Sequence, residues 1–177
     1  MNTDDSFDTA ALDALVPSRD ADLRATVFVH SLAPVSSKES QDRLVDRLGS
    51  LRERGVLGDV DLLVWGNSIC TGSPLTSVGA GERILDAIGE FYDLAADSDI
   101  AISPFFRVSN VTTEYSEESF RRIVPPCRAV ALYDGEELAA VFPCTIDGTA
   151  YTPQDLLAYL ASERTTPSER VLVDESV

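Results

Sequence analysis

Apolar and polar positions along the chain repeat with two periods, one of strands and one of helices. The clearest strand signal is Ile123 to Cys144, IVPPCRAVALYDGEELAAVFPC, two apolar runs that meet at Asp134-Gly135 with a proline just outside each. An Asp-Gly pair supplies the positive φ angles of a two-residue type I′ turn, so the stretch predicts a buried β-hairpin. Counting outward from that turn pairs Tyr133 with Glu136, Leu132 with Glu137 and Cys127 with Phe142. One face then collects Cys127, Ala129, Ala131, Tyr133, Leu138, Ala140 and Phe142, and the other Arg128, Val130, Leu132, Glu137, Ala139 and Val141. Both faces are mostly apolar, which predicts helices on both sides. Pro126 and Pro143 lack a donor and should end the ladder. In this register Cys127 and Cys144 are diagonal neighbours, roughly 7–8 Å apart at Cα, too far to bridge.

Upstream, Ala25–Leu32 (ATVFVHSL) is a continuous, β-branched run that predicts a strand covered on both sides, and Val60–Trp65 (VDLLVW) predicts a second. Between them Leu44, Val45, Leu48 and Leu51 recur at helical spacing from about Ser37 to Arg54. A Ser36-Ser37-Lys38-Glu39 capping box opens this helix, and Gly55 and Gly58 close it. A strand, helix, strand unit of this length implies a right-handed parallel crossover.

A second helix is predicted over Gly81–Ala96, with Ile84, Leu85, Ile88, Phe91 and Leu94 on one stripe and Glu82 in its first turn. Asp8–Val16 predicts a short helix, Ile100–Val108 a third strand in which Pro104 marks an edge or bulge, and Thr112–Phe120 a short helical turn. Thr152-Pro153 opens a closing helix whose buried stripe is Leu156, Leu157 and Leu160. The expected organisation is a single α/β domain over residues 25–162, with a polar arm over 1–24 and a polar tail over 163–177. No internal repeat is visible.

Composition changes the picture mainly through charge. The formal net charge is −16, with 14 basic residues of which Lys38 is the sole lysine. Aspartate and glutamate are spread through every segment, a solvation pattern and not an acidic arm. No apolar run reaches the length of a membrane span, and MNTDDSFDTA is acidic where a signal peptide is basic, so a cytoplasmic protein with no membrane association is expected. The acidic balance argues against nucleic acid as a partner without removing it, and if the dispersed acids report a high-salt solvent, counterion release would count for little there. Three cysteines without a CxxC pair and a single histidine give no disulfide framework, no metal site and no cofactor.

The element order resembles the thioredoxin fold over Ala25–Ser162: a mixed central sheet, helices on both faces, and a C-terminal hairpin plus helix. By that resemblance, Cys70 after the strand ending in Trp65 falls near the family's nucleophilic cysteine, and Pro126 falls where the family has a cis-proline. The departure is Cys70-Thr71-Gly72-Ser73, a CxxS without the resolving thiol, so a two-cysteine disulfide cycle cannot run. The loop Gly66–Val78 follows the carboxyl end of a parallel strand, where α/β sheets place binding loops. The candidate site is therefore Trp65, Cys70, Thr71 and Ser73, with Pro126 and His30 beside them.

Cys70 reads as a low-pKa monothiol or as a small loop residue, and His30 as a base or as a hydrogen-bonded structural group. Arg107, Arg121, Arg122 and Arg128 read as anion ligands or as answers to the acidic surface. The chain also resembles a group of small haloarchaeal proteins that share HSLAP, VWG, PFF and a hairpin ending in PC. That group is often labelled helix-turn-helix, yet the two best helices are separated by VDLLVW, and neither shows a basic face suited to base readout. Three functions follow as expectations: a non-catalytic thioredoxin-like binding or regulatory module of a halophilic archaeon, a monothiol redox enzyme or sensor using Cys70, or a transcription regulator. A protein partner or a homodimer stays open in each.

Overall fold

The computed structural model describes residues 9–17, 22–31, 34–71, 79–112 and 119–163. The first apolar run forms β1 (Leu23–His30) and the second β2 (Asp59–Trp65), joined through α2 (Val35–Glu53) and paired in parallel from Arg24↔Asp59 to His30↔Trp65. The N-cap of α2 is Pro34, which offers no side-chain cap. The expected capping box does not form, because Ser36 and Glu39 both lie inside the helix and the proline occupies the N-cap position. α1 (Thr9–Leu15) precedes this unit. α3 (Gly79–Asp97) follows it, burying Ile84, Ala87, Ile88 and Phe91 as its period requires.

The hairpin is β7 (Arg128–Asp134) and β8 (Glu137–Phe142), and β7 lies antiparallel to β1. The four-stranded sheet has the order β2-β1-β7-β8 and is mixed. Its turn is one residue later than expected: Gly135 and Glu136 form the loop, and Asp134 pairs with Glu137. Gly135 takes φ +62° and Glu136 does not take a positive φ, the pattern of a type II′ turn with glycine first. The physical reason is the third strand. Asp134 pairs with Leu23 of β1, and the Gly135 N–H donates to the Asp22 carbonyl at 2.9 Å, which keeps Asp134 extended.

An irregularity between Leu132 and Tyr133 then carries Val130 opposite Phe142 and Leu132 opposite Ala140. A one-residue slip exchanges faces, so Ala140 and Phe142 join Val130 and Leu132, and Val141 joins Ala131. Both faces are nonetheless covered as expected, by α2 and α4 (Pro153–Glu163) on one side and α3 on the other. The Asp-Gly I′ pattern occurs at a position the apolar pattern did not indicate. Asp147 (φ +50°) and Gly148 (φ +80°) link β9 (Cys144–Ile146) to β10 (Thr149–Tyr151).

The expected third strand divides. β4 (Ile100–Ala101) pairs with β9, residues 103–105 form a turn around Pro104, and β5 (Arg107–Thr112) pairs with β6 (Ser119–Val124). Ser119 and Phe120 are therefore strand residues, not part of a helical turn, and residues 113–118 lie outside the described residues. β6 also pairs with β3 (Ile69–Cys70). The main core on the α3 side is four rings. Phe28 stacks on Trp65 (centroids 4.7 Å apart, 22°), Phe91 meets Phe28 edge-on at 5.6 Å, and Phe106 meets both Trp65 and Phe91.

On the opposite side Thr152 caps α4 as expected. Its Oγ1 accepts from the Asp155 N–H at 3.3 Å, and Asp155 Oδ2 accepts from the Thr152 N–H at 2.7 Å, a reciprocal box. The Tyr159 hydroxyl donates to Asp13, tying α1 to α4. Among the described residues no helix is long and apolar enough to cross a membrane.

Candidate functional site

The expected site residues separate into two groups. His30 ends β1 and pairs with Trp65, which ends β2. Pro126 immediately precedes Cys127, one residue before β7 begins opposite Val29. These three gather at one end of the main sheet. Trp65 is a core residue at 1% exposure, sealed under Phe28 and Phe106, with no surface to offer a ligand.

Cys70 and Thr71 belong to the other group. Cys70 sits on β3 opposite Arg122 of β6, and the Thr71 N–H and hydroxyl both donate to the Arg121 carbonyl, at 3.0 and 3.3 Å. Ser73 lies outside the described residues. α3 starts at Gly79, so Cys70 is on a strand and not in the first turn of a helix. Pro126 is not cis; among the described residues the cis bond is Phe142–Pro143.

Beside Thr71, a groove of about 330 Å³ runs between α3 and the small sheet, walled by Leu85, Ile88, Tyr92, Val108 and Ile123, with Arg121 at its edge. The Tyr92 hydroxyl is buried without a hydrogen-bond partner among the described residues, and burial raises its pKa. At the far end of the sheet an open basin of about 300 Å³ mixes Arg24 and Arg83 with Asp59, Asp61 and Glu136. Arg83 and Asp61 pair there at 3.4 Å, an exposed contact of little energetic weight.

The recess that sequence reading missed lies on the α2/α4 side. Ser40, Arg43 and Arg47 share one face of α2 at helical spacing. Arg128 rises from β7 beside them, and Gln154 of α4 closes a cavity of about 190 Å³ floored by Leu44 and Leu157. Strand alternation sets Arg128 here: it pairs with Val29, whose face α2 and α4 cover. Gln41, 5% exposed, donates from Nε2 to the Cys127 carbonyl at 3.3 Å and fixes α2 against the entry to β7.

Arg43 faces Glu39 at 3.9 Å, whereas Arg47 and Arg128 have no ion pair with a described residue. Convergent cations in a chain of net charge −16 make a local field that favours a phosphate-like anion. Of the three arginines in the recess, Arg128 was legible in the sequence as a possible anion ligand, and the topology is what brings Arg43 and Arg47 beside it.

These features define the class: an α/β protein on a mixed sheet with four helices among its described residues and an arginine-lined recess on one helical layer. Residues 17–165 match the family model described as a helix-turn-helix domain, and the chain belongs to that family. No curated protein and no solved structure matches it. Among the described residues no two helices are joined by a short turn. β1 lies between α1 and α2, β2 and β3 lie between α2 and α3, and the remaining strands precede α4. Among the same residues no group of three or more His, Cys, Asp or Glu side chains stands close enough to hold a metal ion.

All three cysteines are thiols, as the spacing of Cys127 and Cys144 implied, though for a different reason. Cys127 is exposed, and Cys144 is fully buried beyond Pro143 with its thiol pushed up to about 12 by burial. The thiolate is the reactive form. A maleimide time course read by peptide mass spectrometry is therefore expected to modify Cys127 quickly and Cys144 only after unfolding. Rapid labelling of Cys144 in the folded protein would contradict the placement of β9.

Proposed function

We propose that this chain is a non-catalytic regulatory module of thioredoxin-like architecture that contacts nucleic-acid phosphates through Arg43, Arg47 and Arg128. The observation that carries the reading is their convergence on one recess in a strongly acidic chain. Membership of a helix-turn-helix family supports nucleic acid as the source of the phosphate. The sheet order β2-β1-β7-β8, a parallel strand–helix–strand half joined to an antiparallel hairpin and helix, supports the thioredoxin-like reading. The CxxS at Cys70 and its strand setting support a scaffold put to binding. Arginine in place of lysine and the dispersed acids support a halophilic cytoplasm.

Guanidinium contacts to phosphate position a protein on a duplex and carry no sequence information, so the recess supplies affinity and not base readout. The test is duplex binding by the folded protein over stepped KCl. Three phosphate contacts predict a log–log salt slope of roughly −2.7, and the Arg47→Gln, Arg128→Gln double variant should bind at least about tenfold more weakly with a slope shallower by about 2. Equal affinity for wild type and variant would remove the recess from the reading. No binding at the lowest salt that keeps the fold would remove nucleic acid.

One observation favours a second reading, a monothiol redox sensor: Arg122 lies directly across the ladder from Cys70. Under that reading Cys70 outpaces the exposed Cys127 in the maleimide experiment. A rate at or below that of Cys127 rules it out.

A further inference from the structure

β2 is an edge strand with an exposed apolar row. It pairs on one side with β1, and no described residue hydrogen-bonds to its outer side. Leu62 and Val64 are 51% and 49% exposed, and both lie on the face that Val60 shares. Such an edge presents a row of unpaired N–H and C=O groups that templates another strand, and proteins guard it with charged side chains, proline or a bulge. Residues Asp59–Trp65 contain no proline, lysine or bulge. Their charges are Asp59, which lies 3.8 Å from Arg52, and Asp61, which lies 3.4 Å from Arg83, and both alternate with the apolar row on the opposite face.

We infer that the β2 edge is a homodimer interface, in which a second copy adds its own β2 antiparallel about a two-fold axis at Leu62. The evidence for a second copy, as opposed to an unrelated strand, is that DVDLLVW is complementary to itself in this register. Leu62 faces Leu62 of the other copy, Val60 faces Val64, Asp61 faces Leu63 and Asp59 faces Trp65. Every apolar residue of the exposed row meets an apolar residue, and no aspartate meets an aspartate. Moving the axis to Asp61 would oppose two carboxylates, which destabilises a cross-strand pair. Closure by a two-fold axis makes the contact isologous and turns two four-stranded sheets into one continuous sheet.

Two copies of net charge −16 repel at low ionic strength, and salt screens that repulsion while strengthening apolar burial. Dimerisation should therefore rise with KCl, the opposite trend to phosphate binding. The two ideas thus fail separately.

The test is sedimentation of the full chain at about 100 μM over stepped KCl, with cross-linking. The expected result is a dimer fraction that grows with salt and is lost in Leu62→Lys, whose exposed site leaves the fold intact by circular dichroism. In a Cys70→Ser, Cys127→Ser background, Leu62→Cys should form an intermolecular disulfide with diamide as oxidant. Directly opposed residues have Cα atoms about 4.5–5.5 Å apart, within disulfide reach. Val60→Cys should not cross-link, because the two copies of residue 60 lie about 13 Å apart along the strands. A monomer at every salt, a dimer that survives Leu62→Lys, or cross-linking at 60 equal to that at 62 overturns the inference.

Discussion

Replacing Trp65 by alanine is expected to lower the free energy of unfolding by about 3–5 kcal/mol, the range for deleting a large aromatic side chain from a core that cannot collapse around the void. The site meets that condition. Trp65 is 1% exposed, and the rings that surround it come from three different segments: Phe28 of β1, Phe91 of α3 by way of Phe28, and Phe106 beyond β4. None of the three can follow into the vacancy without leaving the others. The indole Nε1 is buried without a hydrogen-bond partner among the described residues, so the tryptophan also carries a desolvation cost. Phenylalanine removes that donor while keeping most of the contact area, and Trp65→Phe should cost less than about 1.5 kcal/mol. Denaturant unfolding followed by circular dichroism measures both variants. An alanine variant within about 1 kcal/mol of wild type would mean that the four-ring cluster is not a rigid core.

Above pH about 9 the protein should lose stability progressively, and Cys144 should account for the first part of the loss. Its thiol is raised from 9.0 to about 12 by burial. Below pH 9 it is neutral in both folded and unfolded chains and contributes nothing to pH dependence. Above that value the unfolded chain's thiol ionises while the buried one stays protonated, so the unfolded state gains, and the loss continues until the pH passes about 12. At 1.36 kcal/mol per unit, the effect reaches about 2 kcal/mol near pH 10.5.

Tyr133 acts in the same direction from pH 10 upward. Its hydroxyl is raised from 10.0 to about 12, first by burial and then by the charge of Glu90 and the hydrogen bond it donates to that carboxylate. Cys144→Ala should cost about 1 kcal/mol at neutral pH yet show a shallower decline between pH 9 and 10.5. A variant whose decline parallels wild type would place Cys144 in contact with water.

The elements with long apolar periods were legible in the sequence: α2, α3, α4, β1, β2 and the hairpin that follows Pro126. Each is covered by a partner that its own pattern demands, except that β2 is an edge strand and leaves Leu62 and Val64 exposed. The failures lie where a distant strand overrides a local preference. Asp134-Gly135 has the chemistry of a type I′ turn, but β1 holds Asp134 extended and moves the turn to Gly135-Glu136. Asp147-Gly148 keeps that chemistry, yet the strands it joins are three residues each and half polar, too short to register as a period. β5 carries mostly exposed side chains and so lacks an apolar period, and of β5 and β6 the sequence reads only Arg107–Val108 and Ile123–Val124 as strand, with Thr112 and Ser119–Phe120 given to a helical turn.

The recess as a whole was illegible for the same reason, although Arg128 reads in the sequence as a candidate anion ligand. Arg43 and Arg47 are local to α2, and Arg128 reaches them only because β7 lies beside β1.

The sheet order also bears on how the chain folds. β1 pairs on one side with β2, which follows it after a single helix, and on the other with β7, so that Val27 meets both Leu62 and Val130. The second pairing spans more than half the chain. Loop closure over that distance must precede any stabilisation from it, and such non-local pairings slow folding. Until Arg128–Asp134 arrives, β1 has an open flank along ATVFVH, and Phe28 lacks Ala129 beside it. During synthesis the segment that ends at α3 is therefore an unfinished sheet with two open edges, and the strand that closes one of them is made only after β4, β5 and β6.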